Sequence, residues 1–427
     1  MDVSKKEKVA FVAVRYGKEI NGGAEMHCRM LAERLAGKYA VEVITTCVND
    51  YVTGGNQYAP GDEILNGVLI HRFPVAPSDS TPWEYWFRRS KPPRRLRHLM
   101  YRIRILRLFA DIFPVWTWRL HDDIEERKHH VFYSEEMNDF ILAHKNSYKA
   151  IIALTADYGP FYFTAMLAGE RMIGIPTMHN ARASFRVSLT QAFPRISYMG
   201  FNTPEEEKLA RNIFGKNLKD CGIISTGIDI PEPDDWESVK KRFSLPDRYI
   251  VYVGRIKRAK VGKLLSYYRS YRRYERKDIP ALVMVGGSME FIGLPEGVIF
   301  TGFVTDAQRR AILQHSSLLI NSSKHESLSL VLLEALYDKV PALVNGHCNV
   351  LKGHAIRSGG AVKYYTNRFN FCRRLHEILH DRDMREEMIR RGKAYITENY
   401  DWEVIMRRLE KAIELVAGKL PAGQEIG

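Results

Sequence analysis

The sequence predicts an α/β protein made of two doubly wound domains, with parallel sheets facing across a central cleft. Three observations carry this. Short, continuous apolar runs recur along the chain and alternate with stretches of helical periodicity. The runs are apolar throughout, as in strands buried on both faces. A proline- and acid-rich segment, Pro231, Pro233, Asp234 and Asp235, divides them into two sets.

The first set opens with Val9–Val14, a buried-strand pattern. A polar loop from Arg15 to Gly23 leads into a helix over Ala24–Ala36, where Leu31 and Leu35 share a face. Val41–Thr45 is the second strand and completes a βαβ unit; Gly67–Phe73 reads as another. Residues 76–148 break the rhythm with aromatic and basic side chains. Pro74, Pro77, Pro82, Pro92, Pro93 and Pro114 punctuate them, and a mainly helical insertion is expected. Strands resume at Ala150–Leu154 and Gly174–Met178 and end with Ile223–Gly227. The second set comprises Tyr249–Val253, Ala281–Val285, Val298–Phe300, Leu318–Ile320 and Pro341–Val344. Apolar residues at 405, 409, 412 and 416 make Trp402–Ala417 a closing amphipathic helix. The expected boundaries are 1–228 for the first domain, with its insertion 76–148 and a returning helix 400–418, and 229–399 for the second.

Composition narrows the function. With 427 residues and 45% apolar side chains, the chain can build real cores, and bulk disorder is excluded. No apolar run reaches the roughly 18 residues of a spanning helix, and no signal peptide is recognised, so a cytoplasmic setting is expected. The five cysteines are scattered without a C-x-x-C pair, which argues against a disulfide scaffold and a structural zinc site. The net charge of +14 is local: residues 88–107 hold nine Arg or Lys and no acid, and without them the chain would be +5. One patch with no recognition motif argues against nucleic acid as a partner. From Leu96 to Phe109, apolar residues fall at helical spacing among arginines. Arg88–Phe109 is therefore a candidate for contact with an anionic membrane surface. The alternative is a packed helix with a solvated basic face.

Three motifs carry chemistry. Asn21-Gly22-Gly23-Ala24-Glu25 joins a strand to a helix; Gly22 and Gly23 allow close backbone approach, and the helix start offers N–H groups to an anion. It lacks the G-x-G-x-x-G dinucleotide fingerprint, which counts against a dehydrogenase. Gly254-Arg255 follows a strand, with Lys260 five residues beyond Arg255. Two such cations suit a diphosphate, Arg bidentately and Lys as a point charge. The third motif runs Lys324 to Glu334 and sets Glu326 and Glu334 eight positions apart. Ser327 is expected to cap a helix whose opening N–H groups, at Leu328, Ser329 and Leu330, would face an anion. Glu334, about two turns on, could accept hydrogen bonds from a ribose.

Together these stretches resemble the retaining nucleotide-sugar glycosyltransferases of family 4, with the GT-B fold. Further marks are Thr177-Met-His-Asn180, Ser225-Thr-Gly-Ile-Asp229, Thr301-Gly-Phe-Val304 and Trp402. The resemblance covers nearly the whole chain apart from 76–148. It implies that Arg255 and Lys260 hold the donor diphosphate, that Glu326 lies near the donor sugar, and that Glu334 binds the ribose. It further implies that the backbone near Val304 reads the base, that Gly22 and Gly23 approach the phosphate and sugar, and that His179 sits beside the donor sugar. Ser327 to Leu330 would supply helix-start amides. Three departures stand out. Glu326-Ser-Leu-Ser329 replaces a common Glu-Gly-Phe-Gly, Val261 follows Lys260 where glycine is common, and Thr155-Ala-Asp157 replaces a frequent histidine pair.

The resulting expectation is a hexosyltransferase that moves a sugar from a nucleoside diphosphate to a hydroxyl of a glycan or lipid-linked acceptor, with retention. Surface polysaccharide or glycan assembly is the implied setting, in the cytoplasm and, if the insertion meets lipid, at the inner face of the plasma membrane. No Asp-x-Asp cluster is placed to hold a metal, so no metal and no cofactor are expected. The alternatives are an epimerase or phosphorylase of the same fold, or a non-catalytic nucleotide-sugar-binding partner.

Overall fold

The computed structural model describes residues 6–20, 22–50, 54–76, 80–275, 277–287 and 295–419. Asn21 of the glycine motif and Pro77 of the insertion lie outside the described residues. The chain forms two compact units, one of residues up to Thr226 together with those from Ile405, the other Gly227–Val404.

The first unit is built on eight strands: β1 (Lys8–Val12), β2 (Ala40–Thr46), β3 (Gly61–Leu65), β4 (Val68–Phe73), β5 (Ala150–Leu154), β6 (Met172–Ile175), β7 (Tyr198–Phe201) and β8 (Asp220–Ile223). Their order is β3-β4-β2-β1-β5-β6-β7-β8. Every neighbouring pair is parallel except β3 with β4. β3 has no apolar run because it is an exposed edge strand. It joins β4 through Asn66-Gly67, both at positive φ, a hairpin signal that the apolar pattern alone does not reveal. The strand expected over Ile223–Gly227 stops at Ile223. The amides of Ile224 and Ser225 both bond to the carbonyl of Phe201, which turns the chain out of the ladder.

The insertion is helical, as expected, but its prolines do not divide it. One helix runs Ser80–Arg102 through Pro92 and Pro93. Pro93 has no N–H for the carbonyl of Arg89, four residues back. Arg119 Nη1 donates to that carbonyl instead, at 2.7 Å. The single helical face expected over 96–109 is broken: Arg104 has φ 65°, and a second helix starts at Leu106. Nor is the basic run uniformly solvated, since Arg94 and Arg97 are buried.

The second unit carries β9 (Tyr249–Val253), β10 (Ala281–Val285), β11 (Val298–Gly302), β12 (Leu318–Asn321), β13 (Ala342–Asn345) and β14 (Val362–Tyr365), in the order β11-β10-β9-β12-β13-β14 and parallel throughout. β14 was not among the expected strands; its Val-Lys-Tyr-Tyr pattern carries too little apolar signal. Alternate residues of β9 and β10 enter opposite cores. Val251 and Val283 pack on one face, and Ile250, Leu282 and Met284 on the other. This two-sided burial is why the strands read as continuous apolar runs. The division falls after Thr226, close to the expected 228, and the closing helix Trp402–Ala417 packs with the first unit from Ile405 on. Lys38–Glu410 (2.7 Å) and Lys149–Glu414 (2.9 Å) tie it there. Trp402 stays with the second unit, donating from Nε1 to Asp229 Oδ1 at 2.9 Å and to the Ile228 carbonyl at 3.2 Å.

Candidate active site

Counted along the second unit, the strand order is 3-2-1-4-5-6, so the direction of winding reverses between β9 and β12. Doubly wound sheets bind ligands just beyond the carboxyl ends of the strands at that reversal. The loops leaving there are Gly254–Lys257 after β9 and Ser322–Ser329 after β12. They hold the second and third sequence motifs.

Lys260 is the hub. Its Nζ donates to Glu326 Oε1 at 2.7 Å, to the His325 carbonyl at 3.2 Å and to Ser323 Oγ at 3.3 Å. The pair is only partly exposed, 32% for Lys260 and 19% for Glu326. Arg255 is exposed beside this hub in sequence, and the hydroxyl of buried Tyr252 donates to its carbonyl at 3.1 Å. Gly254 and Gly286 both have φ near 140°, and a side chain on Gly286 would run into the Gly254 carbonyl. The loops after β9 and β10 therefore pack backbone to backbone, which only glycine permits.

The Glu326–Leu330 stretch differs from expectation in one respect. The helix begins at Leu330 and runs to Tyr337, and its N-cap is Ser329, not Ser327. Leu328 and Ser329 belong to the preceding turn. The reason lies in Ser329, whose φ of 79° is left-handed and cannot be part of a helix. Ser329 stands where the resemblance has a glycine. It is held in this conformation by Asn321 Nδ2, which donates to its Oγ at 2.9 Å, while Asn321 Oδ1 accepts from the Ser323 amide at 3.0 Å. From beneath, His354 Nε2 donates to the Leu328 carbonyl at 2.9 Å, and Tyr395 donates to His354 Nδ1 at 2.9 Å. Burial first, then nearby Arg357, holds the His354 imidazole down to about 3, so it is neutral and can make both bonds.

Glu334 lies on the helix as expected, but it is not free. Arg309 Nη1 donates to its Oε2, and Arg309 is also paired with Asp306. Val304 follows β11 and is half-buried against the core, beside strongly exposed Phe303.

The first unit places Gly22 and His179 on loops that follow its strands, and Gly23 at the start of a helix. Gly22 precedes the helix Gly23–Leu35; its backbone is extended, and a side chain there would strike the Glu25 carboxylate. That carboxylate is fixed by Arg15, at 2.6 Å from Nη2 and 3.1 Å from Nε. Gly23 faces open space. His179 follows β6, and its carbonyl accepts from Ser184 Oγ at 2.7 Å. Buried Glu206 clamps this loop: its two oxygens accept from the amides of Met178 and Asn202. Burial outweighs those two donors and pushes the Glu206 carboxyl up to about 8.

Sequence reasoning named Arg255, Lys260, Glu326 and Glu334 as candidates but not the residues packed around them: Tyr252, Asn321, Ser323, His354 and Arg309. Asn321-Ser322-Ser323 gave a usable signal, three small polar residues directly after a buried strand. His354 and Arg309 gave none, because their partners are remote in sequence.

Residues 234–395, which contain both loops, match the family Glycosyl transferases group 1. The match lies within the second unit and spans less than half of the chain. Over nearly the whole chain, an uncharacterized glycosyltransferase of Methanocaldococcus jannaschii is 21% identical across 422 residues, 94% of this chain and 96% of that one. Among solved structures, sucrose-phosphate synthase from Thermosynechococcus elongatus aligns with TM-score 0.64 and 14% identity, covering 97% of this chain and all of the other. Anabaena HepE, solved in complex with UDP and glucose, aligns with TM-score 0.62 and 13% identity over 96% and 99%. These likenesses bear out the GT-B fold class.

Proposed function

We propose that the chain transfers a sugar, with retention, from a nucleoside diphosphate donor to a hydroxyl of a glycan or lipid-linked acceptor, without a metal ion at the donor site. The observation that carries this reading is the Lys260 ammonium gripped by Glu326, Ser323 and the His325 carbonyl, close in sequence to Arg255, at the reversal of a doubly wound group 1 domain. The UDP and glucose held by a protein of the same fold support the donor class. As the bond from the sugar's anomeric carbon to the phosphate oxygen breaks, negative charge grows on the diphosphate. Arg255, Lys260 and the amides of Ser327 to Leu330 are fixed donors for it. The acceptor oxygen bonds to the same face of the anomeric carbon, and its proton passes to the departing phosphate oxygen. Glu334 retains Oε1 for a ribose hydroxyl, with Arg309 orienting the carboxylate.

The insertion supports a lipid-linked acceptor at an anionic membrane. Leu96, Leu99, Ile103, Ile105, Leu108, Phe109, Ile112, Phe113, Val115 and Trp118 are exposed, half of all such large apolar side chains among the described residues. Exposed Arg95, Arg102, Arg104 and Arg107 lie among them and form no ion pair with a described residue. Exposed apolar side chains interspersed with cations that pair with no described residue suit a bilayer interface carrying acidic headgroups. No helix among the described residues is long and apolar enough to cross a membrane. The setting proposed is the inner face of the plasma membrane.

The first test is thermal stability against UDP-, GDP-, ADP- and TDP-sugars, with and without EDTA, for the wild type and Lys260→Ala. A rise in melting temperature with one base, unchanged by EDTA and absent in the variant, is expected. No rise with any donor would overturn the reading. Flotation with vesicles tests the membrane half: wild type should bind those containing acidic lipid, and Leu99→Ser/Ile103→Ser/Leu108→Ser should not.

A further inference from the structure

We propose that Glu275, His376 and His380 form a binding site for a divalent transition-metal ion of the zinc type, separate from the donor site. One donor atom from each of these residues lies within 4.8 Å of those of the other two. His376 Nδ1 is 2.6 Å and His380 Nε2 3.8 Å from the same carboxylate oxygen, Glu275 Oε2. These separations bracket the ligand–ligand edge of a tetrahedral zinc site, about 3.3 Å for bonds of about 2.0–2.1 Å.

The cluster is arranged for ligation by its backbone. His376 and His380 are one turn apart on the helix Arg368–His380, and their rings stack with centroids 4.3 Å apart. His380 Nδ1 donates to the His376 carbonyl at 3.0 Å, so its proton is spent on that bond and the lone pair of Nε2 points to Glu275. A metal-binding histidine is commonly fixed in its tautomer by such a second hydrogen bond. Glu275 ends the helix Leu264–Tyr274, anchored by its own amide on the Tyr271 carbonyl at 2.7 Å. Two imidazoles and one carboxylate favour zinc, copper, nickel or cobalt over magnesium or calcium, which prefer all-oxygen shells. His376 and His380 also line a surface hollow with Glu377, Asp381, Arg382 and Asp383.

The site lies away from the chemistry. The helix ending at Glu275 leads into the amino end of β10, and the helix ending at His380 runs back from the carboxyl end of β14. Both ends therefore lie at the edge of the sheet opposite Lys260 and Glu326. An ion there would clamp two helices together and stabilise the domain without touching the transferred sugar.

Metal-free protein titrated with Co(II) is expected to bind one equivalent, with the visible absorption of a tetrahedral complex, and Zn(II) should displace it. Equilibrium dialysis supplies the stoichiometry. His380→Asn and Glu275→Gln should each abolish the signal, and Lys260→Ala should keep it. His380→Asn leaves the His376–Glu275 bond in place, so lost binding cannot be ascribed to a lost fold, and its unchanged melting temperature without metal would verify this. Zn(II) should raise the melting temperature of the wild type and not of His380→Asn. Absence of Co(II) binding by the wild type, or binding that survives both variants, overturns the site. Either result leaves the glycosyl-transfer reading standing, since that is tested on donor binding.

Discussion

Two clusters of opposite charge behave differently in this chain. In the first unit, Arg94 and Arg186 both reach Asp123 and Glu126, with Arg94 Nη2 at 2.7 Å from Asp123 and Arg186 Nη1 at 3.1 Å from it. The carboxylates are 0% and 1% exposed. Nearby, Arg127 donates to Ser188 Oγ and to the carbonyls of Ala156, Asp157 and Tyr158 in the loop after β5. In the second unit, Lys260, on the short helix Arg258–Val261, and Glu326, on the loop after β12, form one partly exposed pair. The first cluster has spent almost all its hydrogen-bonding capacity inside the protein. The second leaves a cation at the surface with a further cation, Arg255, nearby in sequence. Charge is a structural element when it is buried and matched, and a site when it is held in place but still reachable.

The comparison can be broken most decisively in the buried cluster. Glu126→Ala would leave two buried arginines sharing Asp123 as the one carboxylate that both reach, and a loss of about 3–5 kcal/mol in urea denaturation is expected. Lys260→Ala should instead leave the unfolding midpoint nearly unchanged and lower kcat/KM by about 10²–10³-fold, the usual cost of removing one donor to a developing charge. Equal effects of the two substitutions on stability would erase the distinction.

Acid sharpens it next. Burial alone would raise the Asp123 and Glu126 carboxyls, but the arginines outweigh it and hold both below their ordinary range, Glu126 at about 2. Their stabilisation is complete above about pH 4.5 and is lost as pH falls towards 2. Buried neutral His27 and His354, lowered by burial to about 4 and about 3, withdraw stability earlier, from pH 6.5 downward. Denaturation across pH should show a decline below 6.5 that steepens below 4.5, and Glu126→Gln should flatten the lower limb.

Smaller effects are expected at the supports. Glu334→Ala should raise the donor KM about tenfold with little change in kcat, or about 1.4 kcal/mol. The smallest effect belongs to Ser329→Gly. Relief of a left-handed serine, worth about 1–2 kcal/mol, is offset by the lost bond from Asn321, worth about 1 kcal/mol. Unfolding should shift by less than about 1 kcal/mol, and the donor KM should not change.

Much of this was legible in the residues. Continuous apolar runs marked nearly every buried strand, because a strand covered on both faces has no polar side to show. Arg255, Lys260, Glu326 and Glu334 stood out because the loops that follow such strands carry Arg255 and Glu326, and the helices those loops lead into carry Lys260 and Glu334. Edge strands were missed where exposure removes the apolar signal, as in β3, and the interior strand β7 was missed because Gly200 interrupts a run of only four residues.

By itself the sequence determined the two α/β units, the position of the phosphate-binding candidates after β9 and β12, and the basic character of the insertion. All of these follow from local periodicity and spacing. The tertiary structure alone decided which arginines of the insertion are buried against Asp123 and Glu126 and which stand among exposed leucines and phenylalanines. It decided that Arg119 completes the helix across Pro93, that Asn321 holds Ser329 left-handed, and that Glu275 meets two histidines about a hundred residues away. Each depends on partners remote in the chain, and a side chain's neighbours across the fold leave no trace in its own local pattern.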